Sequence, residues 1–214
     1  MSLKNADQVG QVSAKNKNRA ILWARYIVDS SDWLLLSVRQ TESDLDDRQK
    51  QNLVSIAILA PSGKVMLQAL IRAAEFSARE AIEGHGIDYS VLLEARACAD
   101  VFREVEALIE KKQVLTWDID ATQKVLDAAA REHKCQSVRL AGTSVGLEFA
   151  RFNGRVSRTS RLEVESQLPF EARSALAECQ AMHTLIKEMA GTPQILDALG
   201  ASPSGWTAEF YRPK

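Results

Sequence analysis

The chain has 214 residues, of which 46% are hydrophobic, and 27 Lys and Arg against 28 Asp and Glu give it a formal net charge of -1. This hydrophobic fraction excludes a disordered protein and suffices to bury the core of one globular domain. The near-zero net charge excludes a general basic field for nucleic acid, so any such binding must be local.

The distribution of apolar residues and cysteines favours a cytoplasmic location. No apolar run reaches the roughly 18 residues that a membrane span needs, and the N-terminal residues are polar. Cys98, Cys135 and Cys179 lie in different segments without CxxC spacing, which suits a reducing compartment. We therefore expect a cytoplasmic protein that makes no membrane contact and uses its cysteines as small core residues.

The first third of the chain predicts one helix and three strands. Residues 1–14 are polar and expected to be flexible, and apolar residues at helical spacing predict an amphipathic helix over Lys15–Val28. Three runs of strand character follow it: Trp33–Val38, Leu53–Leu59 and Lys64–Ile71. Because residues 60–63 contain Pro and Gly in a tight-turn pattern, these strands are expected to form an antiparallel meander.

After the meander the hydrophobic period changes from two to about 3.6. Ser77 and Glu80 form a capping-box pattern that predicts a short helix. The later helices are predicted at Ala99–Glu110, Asp120–Glu132, Gly146–Phe152, Phe170–Met189 and Pro193–Leu199. Strands are predicted at Val114–Trp117 and Ser137–Leu140, and residues 155–167 form a polar connector.

A meander followed by alternating helices and strands predicts an α/β fold, a mixed five-stranded sheet flanked by helices on both faces, with the N-terminal helix in front. The expected organisation is a flexible N-terminus over residues 1–14, one domain over 15–200 and a C-terminal tail over 201–214.

One segment carries a recognisable motif: EGHGID at residues 83–88, followed by LLEA at 92–95 and Phe102. It resembles the HGI segment of the DEDDh-type 3′-5′ exonucleases of the ribonuclease H-like superfamily. Further segments are similar to that family's second strand and turn, its fourth-strand region and its last helix: residues 53–65, 114–126 and 170–179. The resemblance spans about residues 20–191 and implies a ribonuclease H-like fold.

The resemblance also implies a chemistry. In that family a D-x-E pair on the first strand, an Asp after the fourth strand and an Asp on the last helix hold two divalent metals, while a His acts as general base. The implied cofactors are therefore Mg²⁺ or Mn²⁺ if the site is active, and none otherwise. An arginine at a ligand position would repel both ions.

Two alignments place the D-x-E pair differently on the first strand. Continuing the strand without a gap puts Ser37 and Arg39 at the pair, whereas counting back from Ser55 puts Gln40 and Glu42 there. The first Asp of the family is absent in both alignments.

The remaining positions are changed as well. Thr122 takes the place of the fourth-strand acid, with Asp118 and Asp120 beside it as substitute ligands or as helix N-cap residues. On the last helix Arg173 replaces the His and Glu178 replaces the Asp. Because a protonated guanidinium cannot accept a proton from water, the substitutions predict loss of the two-metal mechanism.

The arginines at ligand positions have two interpretations. They form internal ion pairs, Arg39 with Glu42 or Arg173 with Glu178, or they bind a phosphate at a nucleic-acid end. The side chains expected to contact single-stranded nucleic acid are His85, Trp117, Arg155 and Arg158, with a core position as the alternative for Trp117 and a solvated connector for the two arginines.

Three functions follow from these observations. The first is nucleic-acid binding, at a single strand or a 3′ end, with impaired or absent hydrolysis. The second is an active metal-dependent exonuclease whose metal ligands would be Glu42, Asp118, Asp120 and Glu178. The third is a catalytically dead scaffold that binds a protein partner or forms a homodimer.

Overall fold

The computed structural model describes residues 3–40, 52–72, 89–153 and 174–195, with side chains of the first helix described from Ala14 onward. The helices are α1 (Leu3–Asp29), α2 (Tyr89–Leu93), α3 (Cys98–Ile109), α4 (Ile119–Glu132), α5 (Val145–Phe152) and α6 (Ala175–Gly191). The strands are β1 (Trp33–Gln40), β2 (Leu53–Leu59), β3 (Val65–Leu70), β4 (Gln113–Thr116) and β5 (Gly142–Ser144).

The strands form one five-stranded sheet in the order β3-β2-β1-β4-β5. The β1–β2 and β2–β3 pairs are antiparallel, whereas β1–β4 and β4–β5 are parallel. Gly63 adopts a φ of 84° in the turn between β2 and β3, a conformation that favours glycine. The predicted fold class, a mixed sheet that begins with an antiparallel meander, is confirmed.

Side chains of β1 alternate between two cores, one on each face of the sheet. Leu34 and Leu36 join the core formed with α3 and α4. Trp33 and Leu35 join the core formed with α1, α5 and α6. Ser37 and Arg39 continue the second series, so they lie on the sheet face that α6 covers.

Helix α1 is an integral part of that second core. Trp23 is 1% exposed and Ile27 is fully buried. The Arg25 side chain donates to the carbonyl oxygens of Ala190 and Thr192 at the end of α6, both over 3.0 Å. The helix begins at Leu3, before the Lys15 start that apolar periodicity predicted.

The prediction of a fifth strand over Ser137–Leu140 is wrong, because the strand that pairs with β4 is Gly142–Ser144. The Gln123 side chain of α4 forms hydrogen bonds with the backbone of the predicted strand instead. It donates to the Val138 carbonyl (2.9 Å) and accepts from the Leu140 amide (2.9 Å). A Cβ at Gly142 would lie 1.7 Å from the Val114 carbonyl oxygen, so pairing with β4 requires glycine there.

Two helix predictions also differ at their ends. Helix α6 begins at Ala175 and not at Phe170, because Ser174 is extended and caps it. Residues 193–195 are not helical, which contradicts the start of the predicted Pro193–Leu199 helix. The predicted Ser77 helix, the polar connector over 155–167 and the tail over 201–214 lie outside the described residues.

Candidate functional site

The end of β1 meets the start of α6 at three side chains. Ser37 is 3% exposed and Arg39 is half-buried, and both lie on the face of β1 that α6 covers. Glu178 stands in the first turn of α6. The neighbouring Cys179 is fully buried, and its thiol donates to the Ala57 carbonyl on β2 over 3.6 Å, which fixes α6 against the sheet.

Burial raises the pKa of the Glu178 carboxyl, while the Ser37 hydroxyl and the Arg39 guanidinium act in the opposite direction. Ser37 Oγ is buried and has no partner of regular hydrogen-bond geometry among the described residues, although it lies close enough to influence that carboxyl. The structure therefore brings Glu178 together with Ser37 and Arg39, the pair that the gapless alignment selects.

A groove of about 360 Å³ opens beside these residues. The ends of β1, β2 and β3 and the first residues of α6 line it, with Arg39, Ser55, Gln68 and Ser174 as the principal polar contributions. Arg39 on β1 pairs with Ser55 on β2, which pairs in turn with Leu70 on β3, so the three residues lie side by side across the strand wall of the groove, with the arginine on its β1 side.

Ser174 positions the start of α6 at this groove. Its hydroxyl oxygen accepts a hydrogen bond from the Ala177 amide over 3.1 Å, the bond expected of an N-cap. The first turn of a helix carries partial positive charge, so the Glu178 carboxylate and any anion in the groove are both favoured there.

Of the three residues considered for the fourth-strand acid, Asp118 and Thr122 form hydrogen bonds at the start of their own helix. Asp118 is the N-cap of α4 and accepts from the Ala121 amide over 3.0 Å. The Thr122 hydroxyl donates to the Asp118 carbonyl over 2.7 Å, and its side chain is 8% exposed. Asp120 is exposed in the first turn of α4.

The described residues do not fit a two-metal centre. No group of three or more His, Cys, Asp or Glu side chains within them could hold a metal ion. At the β1–α6 junction the described part of the chain offers the single carboxylate of Glu178, next to the positive charge of Arg39. Glu42 and Arg173, two other predicted site residues, lie outside the described residues, and Gln40 ends β1 at the rim of the groove.

Trp117, predicted to stack on a base, lies in the core. Its side chain is 7% exposed, and its ring centroid is 5.9 Å from that of Phe149. A Cβ at Gly146 would lie 3.0 Å from the Trp117 ring, so α5 also packs closely against the ring at this glycine. The ring offers no face to a base in this conformation. His85, Arg155 and Arg158 lie outside the described residues.

Sequence reasoning missed a buried charge pair on α5. Glu148 is 2% exposed and forms an ion pair with Arg151, one helical turn later. Burial raises the pKa of the Glu148 carboxyl, opposed by Arg151 and by Arg19 of α1. The signal was available, since opposite charges three residues apart inside the apolar helix VGLEFARF indicate a pair.

The antiparallel meander, the parallel β1–β4–β5 half and the helices on both faces define the class of this protein as a ribonuclease H-like α/β fold. Among solved structures, the chain is similar to the "nuclease domain of 3'hExo, a DEDDh family member, bound to rAMP". The TM-score is 0.57 at 13% identity, over 75% of this chain and 92% of that chain. This likeness shows the fold.

No protein-family model matches the sequence, and no curated protein matches it. Within the described residues, no helix is both long enough and apolar enough to cross a membrane.

Proposed function

We propose that this chain binds the 3′ end of single-stranded nucleic acid in the β1–α6 groove, with metal-dependent hydrolysis impaired or absent. The observation that carries the proposal is the position of Arg39, which lines the groove and acts on the Glu178 carboxyl. We include a cytoplasmic location in the proposal, which the three free cysteines support.

Charge favours a phosphate over metal ions at this position. Two divalent cations need several carboxylates to offset the cost of removing their hydration shells. Arg39 partly balances the negative charge of Glu178 and would repel a cation placed beside it. A guanidinium has five donors in a planar fork, so Arg39 can contact Glu178 and a phosphate oxygen at the same time.

The shape and lining of the groove support a nucleotide. A volume of about 360 Å³ lies within the range of small-molecule sites. Leu70 and Leu176 supply apolar surface for a base or sugar, and Ser55 and Gln68 supply hydrogen-bonding groups. The fold likeness to a nuclease domain that holds rAMP supports the same class of ligand.

The proposal predicts that Arg39→Gln weakens binding of a short single strand by about ten-fold or more, as expected for loss of one charge-assisted phosphate contact. The slope of the logarithm of the binding constant against the logarithm of the salt concentration should become shallower by about one unit. Fluorescence anisotropy with a 5′-labelled oligonucleotide in EDTA measures both quantities. Arg103→Gln is the matched control, because Arg103 lies on α3 with 76% of its side chain exposed.

The same oligonucleotide tests hydrolysis. Shortening from the 3′ end that depends on Mg²⁺ or Mn²⁺ and is abolished by Glu178→Gln would contradict impaired hydrolysis and identify an active exonuclease. Absence of both binding and shortening would contradict the nucleic-acid proposal and favour the scaffold function.

A further inference from the structure

Two thiols lie close together on the sheet face that α3 and α4 cover, away from α6. Cys98 is the first residue of α3, and Cys135 follows α4, 37 positions later in the chain. The Cys135 thiol donates a weak hydrogen bond to Cys98 Sγ over 3.9 Å. Cys98 is 2% exposed, whereas Cys135 is half-buried and packs against the same core.

The chain turns back sharply to bring Cys135 to this position. Lys134 has a φ of 52°, a left-handed conformation that reverses the chain after α4. The Cys135 amide then donates to the Ala130 carbonyl over 2.9 Å, which holds the residue against the last turn of the helix. The two thiols are thus positioned by backbone hydrogen bonding as well as by their own contact.

We propose that Cys98 and Cys135 are a modification site, at which an intramolecular disulfide forms on reaction with a low-molecular-weight disulfide such as oxidised glutathione. A disulfide bond is about 2.05 Å long, so the two sulfur atoms must each move about 1 Å from their separation of 3.9 Å. Rotation about χ1 of the two side chains supplies a displacement of that size.

The reaction proceeds in two balanced steps. Cys135, the more exposed thiol, loses its proton to solvent and attacks one sulfur of oxidised glutathione, forming a mixed disulfide and releasing one glutathione thiolate. Cys98 then loses its proton and attacks Cys135 Sγ, forming the protein disulfide and releasing the second glutathione. Two protein thiols are oxidised, one glutathione disulfide is reduced, and both released thiolates take up protons.

Burial raises the pKa of the Cys98 thiol, as do the nearby Cys135 and Glu132. Cys98 therefore forms its thiolate with difficulty, which makes it the resolving partner and slows the second step. Cys179 provides an internal comparison, because it is fully buried on the other face of the sheet.

The test incubates the full native chain with oxidised glutathione and follows it by intact mass and by a non-reducing peptide map. We expect the wild-type mass to fall by two hydrogen atoms, with no bound glutathione at completion and with the Cys98 and Cys135 peptides linked. Cys179→Ala is the matched control and should give the same linked peptides.

A second variant traps the intermediate. Cys98→Ala leaves Cys135 without a resolving thiol, so we expect one glutathione to remain bound at Cys135. The proposal is overturned if the wild type accumulates this adduct without linked peptides, or if native wild-type thiols do not react. Should Cys98→Ala fail to fold, the wild-type peptide map alone decides between these results.

Discussion

At the scale of single residues, Glu148 is a carboxylate placed in the middle of an apolar helix, where it is 2% exposed. Burial raises the pKa of its carboxyl, and Arg151 and Arg19 oppose that rise. An ordinary Glu in an unfolded chain titrates near pKa ~4.3. Because the folded pKa is the higher one, Glu148 contributes stability below the unfolded pKa and loses that contribution as pH rises through the folded pKa.

We expect Glu148→Gln to remove this pH dependence. The difference in free energy of unfolding, variant minus wild type, should increase between about pH 4 and pH 7. Over that range the wild type acquires a buried ionised carboxylate, which the variant lacks. Urea unfolding across that range measures the difference. Glu110→Gln is the control, because 71% of that side chain is exposed. Parallel pH profiles for Glu148→Gln and wild type would contradict the expectation.

The charge partners at the candidate site could not be assigned from sequence. Spacing suggested that Arg39 acts on Glu42 or that Arg173 acts on Glu178. In the structure the Arg39 guanidinium on β1 opposes the rise in the pKa of the Glu178 carboxyl on α6. The strand and the helix are distant in the chain. A pattern along the chain describes neighbours in sequence, whereas this contact depends on how α6 crosses the sheet.

At the scale of elements, helices α4 and α6 both begin at side-chain caps. Asp118 accepts from the Ala121 amide at the start of α4, and Ser174 accepts from the Ala177 amide at the start of α6. These bonds satisfy backbone donors that have no partner inside the helix. Capping therefore accounts for Asp118 without a metal ion.

Asp118→Ala should lower the free energy of unfolding by about 1 kcal/mol, the usual cost of losing an N-cap. Asp120→Ala is the comparison: Asp120 is exposed in the same turn, and its loss removes only a helix-dipole interaction of a few tenths of a kcal/mol. Urea unfolding measures both variants. Equal stability of Asp118→Ala and wild type, together with loss of a metal-dependent activity, would instead identify Asp118 as a ligand.

At the scale of the whole molecule, α1 completes the core on the α6 face of the sheet. Trp23 and Ile27 are buried there. Asn18 exchanges two hydrogen bonds with the backbone of Ile195, of 2.9 and 2.8 Å, which join the first helix to the last described residues. The domain therefore depends on contacts between the two ends of its described chain.

Trp23→Ala should destabilise the whole domain by about 3–5 kcal/mol, the usual cost of truncating a large buried aromatic side chain. That is a large share of the roughly 5–15 kcal/mol by which such domains are stable. Leu22→Ala, at a neighbouring position that is 36% exposed, should cost much less. Thermal and urea unfolding compare the variants. Similar effects of the two substitutions on the free energy of unfolding would mean that α1 is not an integral part of the core.

The sequence by itself determined most of the elements and their order, although helix α2 (Tyr89–Leu93) was not predicted. Strand Leu53–Leu59 has the predicted bounds, and α4 begins one residue before its predicted start. Those features depend on hydrophobic period and turn residues, which are local. The same reasoning failed at Ser137–Leu140. There the side chain of Gln123, from another element, forms the backbone hydrogen bonds that β4 would otherwise form.

Only the tertiary structure decided what the candidate site contains. The strand register and the position of α6 determine which side chains meet at the groove. The burial of Trp117 removes that side chain from the candidate binding residues. The sequence showed that the acids expected from the family resemblance are changed, and the structure showed that Arg39 and Ser37 face Glu178. The physical reason is that charge interactions and burial depend on distances between segments that are remote in the chain, and no local pattern encodes those distances.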